Sequence, residues 1–215
     1  MFSDNSDTVY LSLDIETGGY DKPIFAIGCA VFQINKETNE PIFLDEQRFN
    51  FIIPEKYNQN YYNEDTWKYF WSKNLDVLHQ MNLTKTHDNE EQLICDFYYW
   101  YITITNKYKD LKIVTDSPTF DVGYTDSKIM YYMPLGNNSR PLVYQWKDDN
   151  AIYTSTLDYN TFELLFEMTH NKPYEKLNEI IGENPYKHDH DPLNDAKHSA
   201  YQFSKLFKYM QKCIS

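Results

Sequence analysis

Near the start of the chain Val9, Leu11, Leu13 and Ile15 alternate with Tyr10, Ser12, Asp14 and Glu16. A period of two sends the two sets to opposite sides of an extended backbone, so Thr8–Thr17 reads as a strand with one wholly apolar face. Gly18, Gly19 and Pro23 end it, as residues that break regular structure do. Ile24–Ile34 (IFAIGCAVFQI) is a second, more buried strand. Asn35–Glu40 is a polar turn, and Ile42–Ile53 supplies a third strand. An opening meander of three antiparallel strands commits the chain to a sheet whose apolar surface other elements must cover.

The remainder supplies those covers. Tyr61–Met81 has aromatic and apolar residues at mixed three- and four-residue spacing and reads as a helix. Glu90–Asp110 is acidic at its start and carries Lys107 and Lys109 at its end, the polarity that a helix dipole favours. Leu111–Thr115 and Leu142–Trp146 read as short strands. Asp121–Met133, Thr161–His170 and Pro173–Ile181 read as helices, the last closed by Gly182. The final helix has the clearest start: Asp191 is an N-cap and Pro192 occupies the first helical position, where its missing N–H costs nothing. Leu193, Ala196, Ala200, Phe203, Phe207 and Met210 follow along one face. The expected architecture is α/β, a mixed sheet of five or more strands with the antiparallel meander first, flanked by helices. The 215 residues are read as a single domain, 1–215, large enough to bury roughly 70% of the surface of the unfolded chain.

Charge and cysteine usage narrow the function. Lys and Arg number 20 against 32 Asp and Glu, for a net charge of −12. A chain this acidic is not built to coat duplex nucleic acid by neutralising phosphates. It can still act on nucleic acid where some of its acids hold divalent ions, which invert the local sign. The start, MFSDNSDTVY, has neither the basic flank nor the apolar run of a signal peptide, and no apolar stretch reaches the roughly 18 residues of a membrane span. Cys29, Cys95 and Cys213 are odd in number and widely separated, which fits free thiols in a soluble intracellular, most simply cytoplasmic, protein.

Three short segments carry chemistry. Asp14 and Glu16 share one face of the first strand, roughly 6.6 Å apart along it. Two carboxylates so placed repel unless a divalent cation lies between them; the alternative is a solvated strand face. Thr17, Gly18 and Gly19 follow, glycines beside which a ligand can approach the backbone. In His190-Asp191-Pro192-Leu193-Asn194-Asp195 the helix start brings an imidazole and a carboxylate to one helix end, a base-and-ligand pair or a simple cap by Asp191 with His190 exposed. Asp121, behind Phe120 after the strand LKIVT, is a third candidate ligand or an N-cap. His188 and His198 lie nearby as weaker candidates and read as surface residues.

Together DIET at Asp14–Thr17, FD at Phe120–Asp121 and H-x4-D at His190–Asp195 resemble the DEDDh group of 3′–5′ exonucleases, the DnaQ-like superfamily that includes ribonuclease T and oligoribonuclease. The resemblance spans the chain from Asp14 to Asp195 and implies a ribonuclease H-like fold. It implies that Asp14, Glu16, Asp121 and Asp195 bind two Mg²⁺ or Mn²⁺ ions, that His190 is the general base, and that Thr17 and Gly18 contact the terminal nucleotide. The implied substrate is the 3′ end of single-stranded RNA or DNA, and the implied assembly a homodimer. Many relatives carry His-Asn shortly before FD, where this chain has Asp116-Ser117. Thr66 and the aromatics after it also resemble phage DexA-type exonucleases and a bacterial exoribonuclease subgroup, so a viral or phage origin fits. There Phe70 or Trp71 stacks on a base, or packs into the core. Arg140, Lys147, Lys187 and Lys197 are candidates for a basic rim. Two other readings compete with this one: a catalytically silent ribonuclease H-like module that binds nucleic acid or protein, and a glycosidase using Asp14 and Glu16.

Overall fold

The computed structural model describes residues 8–108, 110–133, 141–142, 144–147, 150–153, 156–158, 160–161, 164, 179 and 181–214. The meander is present as β1 (Val9–Thr17), β2 (Ile24–Ile34) and β3 (Pro41–Asn50). β1 pairs antiparallel with β2 and β2 with β3. On its other side β1 pairs in parallel with β4 (Leu111–Thr115). The sheet has five strands in the order β3-β2-β1-β4-β7 once β7 (Thr156–Asp158) is added in parallel to β4. A separate hairpin pairs β5 (Tyr144–Lys147) with β6 (Asn150–Tyr153), the first of them starting two residues and ending one residue later than the expected Leu142–Trp146.

Alternation along β1 sorts the core into two layers. Leu11, Leu13 and Ile15 face α3 (Glu90–Lys107) and α4 (Pro118–Tyr132), packing with Leu93, Phe97 and Tyr101 of the first and Val122 and Ile129 of the second. Tyr10 packs on the opposite face with Phe32, Val114 and Phe203, beneath α5 (Pro192–Ile214). α3 begins where Asn89 accepts the Gln92 N–H at 3.0 Å. The buried Glu90 then ties α3 to β2 and α4: it accepts the Ile24 N–H at 2.7 Å and the Tyr132 hydroxyl at 2.7 Å, and pairs with Lys128 at 2.8 Å. In α5 the expected apolar stripe is buried at Ala196, Ala200 and Phe203.

The expected single helix over Tyr61–Met81 is three pieces: α1 (Glu64–Tyr69), a 3-10 turn at Trp71–Lys73 and α2 (Leu75–Leu83). The break follows from burial. Trp71 is completely buried and its indole N–H donates to the Thr17 carbonyl at 2.9 Å, so the chain bends to carry the indole into the core. The helices read at Thr161–His170 and Pro173–Ile181 fall largely outside the described residues. Cys29 is buried and Cys95 half-buried, both as free thiols; Cys213's side chain lies outside the described set. Among the described residues no helix is long and apolar enough to cross a membrane.

Candidate metal centre

β1 outruns β4. Their parallel pairing ends at Ser12 opposite Val114, whereas β1 continues beside β2 as far as Thr17. Asp14 and Glu16 therefore extend past the carboxyl end of β4, at the point where β1 has an antiparallel neighbour on one side and a parallel one on the other. Open α/β sheets bind ligands in such crevices.

α4 and α5 bring the other acids there. β4 ends at Thr115, and Pro118 starts α4 with Ser117 at the cap position. Asp121 is thus a turn inside the helix, its N–H donating to the Ser117 carbonyl at 2.7 Å. Its carboxylate accepts the Thr115 hydroxyl and the Ile15 N–H, a donor left without a strand partner where β4 stops. On the other face Asp191 caps α5, accepting the Leu193 and Asn194 N–H groups at 3.2 Å each, and Arg48 of β3 pairs with the same carboxylate. Asp195, in the first turn, accepts the N–H groups of Asp189 at 2.9 Å and His190 at 3.1 Å. His190 has φ +62°, a left-handed conformation that costs a non-glycine residue about 1–3 kcal/mol and persists only where the surroundings impose it. Here the Asp195 carboxylate imposes it.

Gly28 lets α5 approach this closely. It lies opposite Asp14 on β2, and a Cβ built there would stand 2.0 Å from the backbone carbon and oxygen of Pro192. The helix start rests on bare backbone.

Two sets of carboxylate oxygens result, each with all members within 4.8 Å of one another: Asp14, Glu16 and Asp195, and Asp14, Asp116 and Asp121. Asp14 belongs to both. Its Oδ2 is buried without a hydrogen-bond partner, and leaving such an acceptor unsatisfied costs about 1–3 kcal/mol, more when it is charged. An all-oxygen donor set with an unanswered buried charge suits Mg²⁺ or Mn²⁺. The residues present fit a divalent cation.

Electrostatics agree. Burial raises the carboxyls of Asp14 and Glu16 well above the ordinary carboxylate range, and the neighbouring acids raise them further, Glu16 first for Asp14 and Asp195 first for Glu16. Burial also pushes Asp121 up to about 8 and Asp195 up to about 7. With folded values above unfolded ones, the native state holds protons that the unfolded chain has released. The contribution of these groups is intact below pH ~4 and is lost as pH rises through about 8, at up to ~1.4 kcal/mol per pH unit for each carboxyl. With chelator present, the melting temperature is expected to fall between pH 5 and pH 8. Mn²⁺ should raise it, and more at pH 8 than at pH 5; a metal effect independent of pH would count against these carboxyls as its ligands.

The other residues singled out in the sequence fare unequally. His190 is half-buried with its ring 4.6 Å from that of Phe70, edge to face. Burial, then His188, lowers its pKa against the opposing charge of Asp189, which favours the neutral imidazole. Trp71 is core and has no face to offer a base; of the pair, only the half-buried Phe70 is available. Thr17 is buried, its hydroxyl accepting the Gly19 N–H at 3.0 Å. Over Gly18 the space for a side chain is filled by the Tyr61 carbonyl, 1.8 Å from an added Cβ, so this glycine is required by the protein's own chain. Lys197 pairs with Glu46 at 2.9 Å and is not a free rim cation. Lys187 is exposed; Arg140 and the Lys147 side chain lie outside the described residues.

Sequence reading gave no role to three residues that the structure brings to the site. Asp116 was seen only as a departure from His-Asn, although an acid one residue beyond a strand that points at the site was a usable signal. His188, a weaker candidate read as a surface residue, is exposed, but its Nε2 stands 3.5 Å from Asp195 Oδ2. Gly28 had no signal, since its role exists only against α5.

No protein-family model matches this chain, and no curated protein does. Among solved structures it is similar to the crystal structure of cell-death related nuclease 4 (CRN-4), with a TM-score of 0.59 and 12% sequence identity over 95% of this chain. The match spans 65% of that structure's chain. At this identity the likeness is one of fold. The class defined by sheet and site is an α/β protein of ribonuclease H-like fold with a carboxylate cage at the switch point of its sheet.

Proposed function

We propose that the chain is a metal-dependent 3′–5′ exonuclease of the DEDDh type, hydrolysing single-stranded nucleic acid from its 3′ end to nucleoside 5′-monophosphates. One observation carries the reading: acids from three distant segments of the chain meet in two oxygen sets that share Asp14. Asp14, Glu16 and Asp195 would hold one divalent ion, and Asp14 with Asp121 and Asp116 a second. Bound there, Mg²⁺ or Mn²⁺ would supply Lewis acidity at the scissile phosphate and acidify an attacking water.

The chain's own groups do the rest. His190, whose pKa burial lowers, takes the water's proton at a ring nitrogen. Phe70 holds the imidazole edge to face and presents its ring to the terminal base; stacking of this kind is worth about 1–3 kcal/mol without sequence preference. Thr17 and Gly18 contribute backbone beside the terminal nucleotide. The excess of acids favours a short single-stranded substrate over a duplex.

The test is one gel. With Mg²⁺ or Mn²⁺ and 5′-labelled single-stranded RNA and DNA, a ladder shortening from the 3′ end is expected. Internal cuts, or unchanged cleavage in chelator, would contradict the reading. His190→Ala is expected to lower the rate about 10²–10⁴-fold, the range for general-base catalysis, with metal binding retained in calorimetry. A silent binding module would give no tight Mn²⁺ site. The glycosidase reading has no geometric support, because the oxygens of Asp14 and Glu16 come within 4.8 Å, whereas a sugar needs flanking carboxyls about 5–9.5 Å apart.

A further inference from the structure

We propose that His188, His190 and Asp195 form a third cation site, suited to a zinc-like ion rather than Mg²⁺, whose occupation switches the nuclease off. The switching rests on the function proposed above; the site itself does not.

The argument starts from the donor set. One atom from each of the three residues lies within 4.8 Å of the other two. Two imidazoles and a carboxylate form the nitrogen-rich, three-ligand set that zinc takes with one position left open, whereas Mg²⁺ prefers oxygen alone. A tetrahedral ion about 2.0–2.2 Å from each ligand needs donors roughly 3.4 Å apart. His188 Nε2 and Asp195 Oδ2 already stand 3.5 Å apart. The remaining gap can be closed by rotating His188, whose side chain is 54% exposed.

The site is built rather than incidental. Asp195 accepts the N–H groups of Asp189 and His190, so one ligand fixes the backbone that carries the other two. The rings of His188 and His190 are 5.3 Å apart. Behind them the His198 ring is 5.5 Å from His188, its Nδ1 anchored on the Tyr186 carbonyl at 2.8 Å. The other imidazole-acid pairs are poorer: His79 meets only Glu55 and His87 only Asp96 as charged partners among the described residues. Nothing in the proposed hydrolysis uses His188. An ion bound here would take a ring nitrogen of His190, drawing that imidazole away from its work as a base, and would compete for Asp195.

Calorimetric titration of Zn²⁺ into the whole protein under a large excess of Mg²⁺ tests the site. Wild type should show one zinc site. His188→Ala should weaken it at least about tenfold, within the range seen when even an outer partner of a ligand is removed. His188→Cys, which restores a soft ligand, should recover it. In long-range nitrogen–proton spectra the ring signals of His188 and His190 should move with zinc while those of His79 and His87 stay. Equal zinc affinity in wild type and His188→Ala, or shifts confined to other histidines, would overturn the site. If it forms, zinc should stop 3′-end shortening in wild type and do so at least tenfold less effectively in His188→Ala; full activity with the site saturated would overturn the switch. A protein that never cleaves nucleic acid yet shows the zinc heat and ring shifts would keep the site and lose the nuclease reading.

Discussion

Asp14→Ala is expected to reduce nuclease activity about 10³-fold or more. Asp14 is the one carboxylate in both oxygen sets, so its removal damages both ion sites at once. Metal ions contribute several kcal/mol to such transition states, and about 4 kcal/mol corresponds to three orders of magnitude in rate. The same variant should be no less stable than wild type in chelator at pH 8, because it removes a buried carboxyl that the cage disfavours in its charged form. Rates of 3′-end release with Mn²⁺, beside melting curves in chelator, read both effects. Full activity in Asp14→Ala would end the assignment of this cage as the active site.

Gly28→Ala should be nearly as damaging although no reacting group is touched. The new methyl would meet Pro192 backbone at 2.0 Å and the Leu193 nitrogen at 2.3 Å. Backbone cannot rotate away, so α5 must move by an ångström or more, taking Asp195 and His190 with it. Displacements of about 1 Å can cost ~10²-fold in rate, and overpacking costs about 1–3 kcal/mol in stability. Gly123→Ala is the control. Its methyl would meet only the Pro118 carbonyl, at 3.8 Å, so it should keep activity and gain about 0.5–1 kcal/mol from helix propensity. Equal activity in the two variants would mean that α5 is not held in place by Gly28.

How much was legible depends on the range over which a signal acts. β1 was readable because its pattern repeats every two residues, β2 because it is a short continuous apolar run between turn residues, and the start of α5 because Asp191 and Pro192 sit at the helix end they shape. The third strand was read as Ile42–Ile53, but its pairing with β2 ends at Asn50. Asp14, Glu16, Asp121 and Asp195 were found through their motifs, each local to a few residues. The interrupted helix around Trp71 was not readable, since what breaks it is a hydrogen bond to Thr17, 54 positions earlier.

What the sequence determined alone is the set of parts: a meander with acids on one face, a capped final helix and an acid-rich charge balance. These depend on neighbours along the chain, where alternation and capping act. Only the tertiary structure decided that Asp14 would be shared between two oxygen sets, that Asp116 would complete one of them, that His188 would stand beside Asp195, and that Gly28 would make room. Those facts depend on where β4 stops and how close α5 comes to the sheet, and packing sets both between residues that no local pattern connects.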